Sequence, residues 1–102
     1  MTTKAKILDI AMNLNRIGNW AADDYPGKKE RIKTFLASTS NYLDSLKSDC
    51  LPPSLKGTIK TFVSEYRQLE NEGLNGPKDN LLWAEKMMTW GNILTHRSRL
   101  IG

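Results

Sequence analysis

Apolar residues recur along this chain at helical intervals, in four segments separated by three short stretches rich in proline or glycine. In the first segment Ile7, Ile10, Ala11, Leu14, Ile17, Gly18 and Ala21 fall on one stripe, with Thr2 or Thr3 placed to cap its start. The second sets Ile32, Leu36, Thr39, Leu43, Leu46 and Cys50 at alternating steps of four and three, flanked by Phe35 and Tyr42. The third repeats that rhythm with Leu55, Ile59, Phe62, Tyr66 and Leu69, with Val63 beside it. Such alternation is the seam spacing of helices packed nearly parallel or antiparallel.

The breaks are Asp24-Tyr25-Pro26-Gly27, Leu51-Pro52-Pro53-Ser54 and Asn75-Gly76-Pro77. Proline suits the first turn of a helix and disfavours helical geometry in the residue before it, so Pro26, Pro53 and Pro77 are expected to open helices. Gly73 and Gly76 can supply the left-handed stop before the last one. The predicted helices run over residues 3–23, 26–49, 53–72 and 77–97, each about 30 Å long. Short links favour antiparallel neighbours, and the expected fold of residues 1–102 is a single all-α domain, an up-down-up-down antiparallel four-helix bundle.

The fourth segment is the exception to the single stripe. Leu81, Leu82, Trp83, Ala84, Met87, Met88, Trp90, Ile93 and Leu94 wrap more than half of its circumference. Trp83, Met87, Trp90 and Leu94 form one stripe, and Leu81, Ala84, Met88 and Gly91 a neighbouring one. If a small bundle buries one broad face per helix, part of this surface faces a partner. Tryptophan and methionine suit such a role because large adaptable side chains repay desolvation. Trp20 is a lesser candidate of the same kind.

Composition narrows the classes. Of 102 residues, 39% are hydrophobic and 25% charged, a thin core for one domain but too apolar for disorder. Val63 is the only valine, so the β-branched richness of strands is lacking. The sole cysteine, Cys50, excludes an intramolecular disulfide and a cysteine-based zinc site, and a cytoplasmic location is the default expectation. Neither a signal peptide nor a membrane span is expected, because charges interrupt every apolar run.

The formal charge is +4. In the expected topology one end of the bundle collects Lys4, Lys6, Lys47, Lys56, Lys60, Arg97 and Arg99 against Asp9, Asp44 and Asp49, and so carries the whole excess. Arg97, Arg99 and Lys47 lie near helix C-termini, where the dipole favours cations; Lys4, Lys6 and Lys56 lie near N-termini, where it does not. A solvated surface accounts for such a cluster more simply than an anionic partner does. The start of the second helix is also basic, through Lys28, Lys29, Arg31 and Lys33, with Asp23, Asp24 and Glu30 close by to neutralise it. No recognition-helix turn, RNP-like aromatic motif or zinc-finger spacing supports nucleic acid specifically.

Catalytic chemistry has little to stand on. His96 is the only histidine, which rules out a histidine-pair metal site within the chain, and neither a Glu-x-x-His motif nor a glycine-rich phosphate loop occurs. No metal, cofactor or catalytic residue is assigned. Cys50 with His96 could be imagined as nucleophile and base, but Cys50 continues an apolar seam and is expected to be buried. The expected function is therefore a non-enzymatic protein-interaction or adaptor role, with a protein partner or self-association through the fourth helix. The alternative is binding of nucleic acid or another polyanion at the basic end.

Overall fold

The computed structural model describes residues 2–46 and 48–101. Its elements are α1 (Thr3–Asp24), α2 (Lys29–Ser45), α3 (Pro53–Asn75) and α4 (Asn80–Arg97), with single 3-10 turns at Ser48–Cys50 and Ser98–Leu100. No strand occurs among the described residues. They form an up-down-up-down four-helix bundle of 39 × 20 × 19 Å, a length set by helices such as α1, whose 22 residues span about 33 Å.

Capping explains most of the boundaries. Thr2 is extended and its Oγ1 accepts the Ala5 amide at 3.1 Å, which starts α1. Pro53 is the first residue of α3, and Gly76, with φ +87°, ends it in a conformation that side chains resist. Pro26 and Pro77 do not open helices as expected. Pro26 lies in a turn closed by Asp24, whose carboxylate accepts the Gly27 amide, and α2 starts only at Lys29. Pro77 precedes Asp79, and the Asp79 carboxylate accepts the Leu82 amide at 3.0 Å. A side-chain acceptor at the cap satisfies an orphan amide, which proline can only omit.

Gly73 is no terminator either. It lies within α3, buried, and a Cβ there would sit 2.6 Å from the Trp83 ring and 3.0 Å from Leu36.

The helices pack by three different means. α1 and α4 run antiparallel and close, because small residues line the contact: Gly18 faces Ala84 and Met88, and Gly91 faces Asn15. A Cβ on Gly18 would lie 2.9 Å from the Ala84 carbonyl oxygen, so the approach is at backbone level. Between α2 and α3 the link is polar. The Arg67 guanidinium donates to Ser40 Oγ at 2.6 Å and to Asp44 at 2.8 Å, and Ser40 donates to Glu70 at 2.6 Å. α1 meets α2 through Trp20, edge-on to Phe35 at 4.9 Å with the Arg31 guanidinium 5.2 Å over its ring.

The core contains Ile7, Leu14, Ile17, Ile32, Leu36, Leu55, Phe62, Tyr66, Trp83, Met87 and Leu94, each at most 2% exposed. α2 stops four residues sooner than expected: the chain turns extended at Leu46, passes through the 3-10 turn and brings Leu51 into the core. Cys50 is thereby exposed, not buried. Its place on the helical seam has no meaning once the helix has ended.

Buried tyrosines tie the seams and carry a pH dependence. The Tyr66 hydroxyl donates to the Leu36 carbonyl at 2.8 Å, and burial, reinforced by the charge of Glu70, pushes its pKa well above the ordinary 10.0. The unfolded chain releases this proton near pH 10 while the folded chain keeps it. Above that pH the native state binds more protons, so stability falls as pH rises; below it Tyr66 contributes no slope. Urea midpoints measured from pH 8 to 12 should therefore decline, and Tyr66→Phe should flatten the decline while losing about 1 kcal/mol at neutral pH with the hydrogen bond. An unchanged alkaline slope in Tyr66→Phe would contradict this assignment. Tyr25, whose pKa is also raised by burial, leaves a residual slope.

Candidate docking groove between α3 and α4

Where α1 and α4 meet through small residues, α3 and α4 are held apart by large ones. Trp83 reaches across and donates its indole N–H to the Leu69 carbonyl at 2.9 Å. One and two turns further along α4, Met87 fills the core and Trp90 packs on Phe62 at 5.2 Å between centroids. The bulk of these rings props the helices open on the solvent side. The facing rows are Glu65, Gln68, Leu69 and Glu72 on α3, and Leu82, Glu85, Lys86, Thr89, Trp90 and Ile93 on α4.

They enclose a hollow of about 480 Å³. An adjoining hollow of about 470 Å³ shares Glu72, Leu82 and Lys86 and continues past Asn75, Pro77, Lys78 and Asp79 to the α3–α4 turn. Leu82 is 49% exposed, and Trp90 and Ile93 are half-buried, so apolar side chains lie open at both ends of the α4 row, with Lys86 and Thr89 between them. From Leu82 to Ile93 the row is about 16 Å long, three helical turns.

The rim is acidic. Across both hollows Glu65, Glu72, Asp79 and Glu85 stand against Lys78 and Lys86, a local excess of two negative charges on a chain of formal charge +4. The Trp90 indole donates to Glu65 Oε2 at 2.6 Å, which fixes that carboxylate at the mouth. Glu72 and Glu85 make no ion pair or side-chain hydrogen bond among the described residues.

The structure places the tryptophan and methionine stripe differently from the expectation. Trp83, Met87 and Leu94 are 2%, 0% and 0% exposed and belong to the core, so they offer no partner surface. The neighbouring Ala84 and Gly91 are buried as well. α4 lies between α1 and α3 and buries a stripe against each, which the assumption of one buried face per helix did not allow. Of the original stripe Trp90 lines the main hollow, while Trp83, almost wholly buried, only edges the adjoining one. Trp20 is half-buried on the α1–α2 seam and does not line the groove. Leu82 and Ile93, which do, have no spacing that sets them apart from the other apolar residues of α4; their seat beside the α3 carboxylates depends on how far α3 stands off.

At the other candidate site, Lys4, Lys6, Lys56, Lys60, Arg97 and Arg99 fall at the end of the bundle shared by the starts of α1 and α3 and the ends of α2 and α4. Lys47 lies outside the described residues. The Lys6 ammonium donates to the Ser45 carbonyl at 3.2 Å, so this cation neutralises the C-terminus of the neighbouring helix and not its own. Lys4, Lys56, Lys60, Arg97 and Arg99 form no ion pair among the described residues, while Asp44 is taken by Arg67 and Asp9 accepts from the Tyr42 hydroxyl. His96 and Cys50 are both exposed.

Among the described residues no cluster of histidine, cysteine and carboxylates is arranged to hold a metal ion, and no helix is long and apolar enough to cross a membrane. Comparison with protein-family models, curated proteins and solved structures finds no match to the chain.

Proposed function

We propose that the protein is a non-enzymatic interaction module that holds a polypeptide partner in the α3–α4 groove. The observation that carries this reading is the open row of Leu82, Trp90 and Ile93, three turns long, interrupted only by Lys86 and Thr89 and flanked by carboxylates of both helices. Water against such a row is released when a complementary apolar face covers it, and the charged walls supply orientation. The groove replaces the buried stripe of α4 as the place where contact is made.

Peptides selected from a random helical display library on the immobilised protein should therefore compete with one another. They should lose at least about tenfold in affinity on Leu82→Asp, which sets a carboxylate into the floor, a loss of about 1.4 kcal/mol. Because Leu82 is half exposed in the chain itself, the variant should keep its unfolding midpoint. Selected peptides that bind Leu82→Asp as well as the parent would sink the reading.

The unpaired cations at the opposite site favour a second reading, binding of a polyanion. A labelled single-stranded oligonucleotide would then bind at low salt, with affinity falling steeply as salt rises and as Lys56 and Lys60 are changed to glutamate. Absence of binding at about 20 mM salt would remove it.

A further inference from the structure

Resting on the reading of the groove as a polypeptide site, we propose that its occupant is a basic amphipathic helix of a partner protein. The floor fits the apolar face of such a helix. Leu82, Trp90 and Ile93 lie along about 16 Å, with Trp90 and Ile93 one turn apart and Leu82 two turns beyond, which matches anchors at positions i, i+3 or i+4, and i+11 of a docked helix.

The rim selects the sign of its flanks. Glu65 and Glu72 line the α3 wall, Glu85 the α4 wall, and Lys86 is the only cation within the main hollow. Glu72 and Glu85 have no partner among the described residues, so their charge is available to a ligand. At physiological ionic strength screening acts over about 8 Å, so the carboxylates at the mouth outweigh the more distant cations of this basic chain. Lysines or arginines beside the apolar face of the docked helix would meet Glu72 on one side and Glu85 on the other.

Among the described residues no helix of a second copy exposes an apolar stripe at such spacing: the large exposed apolar side chains are Met12 on α1, Leu74 on α3, the adjacent Leu81 and Leu82 on α4, and Leu100. At the start of α2 the cations Lys29, Arg31 and Lys33 surround Ile32, which is 0% exposed in its own core. Leu100, 48% exposed beside Arg99, lies in a three-residue 3-10 turn.

Two synthetic helical peptides of about 15 residues test the assignment, long enough to cover the row. They share one apolar pattern and carry either lysine and arginine or glutamate at every flanking position. Fluorescence anisotropy against the whole protein should show the basic peptide binding at least about tenfold more tightly than the acidic one, a preference that shrinks as salt rises. The doubly charge-reversed Glu72→Lys, Glu85→Lys protein should invert the preference. Both residues are exposed, so the fold should survive, and the indole N–H signals report this directly: in the parent the Trp90 resonance should shift on binding while that of Trp20 should not.

Equal binding of the two peptides, basic-peptide affinity unchanged by the double variant, or binding of neither peptide overturns the proposal. So does sedimentation showing a dimer that Leu82→Asp dissolves, since a second copy would then fill the groove. Acidic library peptides that still require Leu82 would overturn the basic assignment and leave the groove standing as a polypeptide site.

Discussion

Replacing Trp83 with alanine should lower the unfolding free energy by about 3–5 kcal/mol, a large fraction of the roughly 5–15 kcal/mol that a domain usually has. The indole is 2% exposed and sits where four segments converge. Its N–H donates to the Leu69 carbonyl, its edge packs over Gly73 of α3, and the Tyr25 ring meets it edge-on at 6.1 Å. Tyr25 in turn donates to the Gly73 carbonyl at 2.5 Å, and Leu36 closes the pocket from α2.

No neighbour can move in to fill the space. The alternatives are a void or collapse of α3 onto α4, and collapse would also narrow the groove. Trp83→Phe weights the two contributions differently, because it keeps most of the volume and loses the N–H with a small part of the ring system, at about 1–2 kcal/mol. Thermal unfolding followed by far-ultraviolet circular dichroism should show the alanine variant melting on the order of 15–25 °C lower. A drop of only a few degrees would mean that Trp83 does not hold α3 off α4, and the origin assigned to the groove would fall with it.

Gly18→Val should cost about 3 kcal/mol, for the opposite reason. The first atom of any side chain there would run into Met88 Cγ and lie 2.9 Å from the Ala84 carbonyl oxygen. Met88 can swing aside, since its side chain is flexible and half-buried. The Ala84 carbonyl is part of α4's own hydrogen-bond ladder and cannot, so a branched side chain must push α1 and α4 apart along their whole contact. Leu14, Ile17, Met87 and Leu94 would lose packing together. Gly57 is the control: a methyl group there would have nothing within 4 Å, so Gly57→Ala should gain about 0.5–1 kcal/mol from helix propensity alone. Urea unfolding of the three proteins side by side decides the matter: if both glycine variants shift in the same direction, close packing of α1 on α4 is not what Gly18 provides.

The helices and most of the core are legible in the amino-acid sequence. Ile7, Ile10, Leu14 and Ile17 on α1, and Leu55, Ile59, Phe62, Tyr66 and Leu69 on α3, are buried as their spacing implies. A stripe repeated at steps of three and four has only one way to leave water, whichever helix it meets. Thr2 and Gly76 act as cap and stop because those roles depend on the residue's own hydroxyl and on its own freedom at positive φ.

The sites could not be read that way, since exposure depends on how many neighbours a helix has and how near they stand. Cys50 shares the period of Leu43 and Leu46, yet lies outside because α2 ends at Ser45. Lys6 looks misplaced on its own helix and is explained by the end of α2 beside it.

On α4 the apolar residues were evident, but their division was not. Small residues at Gly18, Ala84 and Gly91 draw α1 in until the stripe of Ala84 and Gly91 is covered, while Trp83 and Trp90 keep α3 at a distance and leave Leu82 and Ile93 in the open. Local periodicity thus determines which residues can form a core. The separation between helices, set by side-chain volume at contacts far apart in the chain, decides which of the remaining apolar residues line a groove.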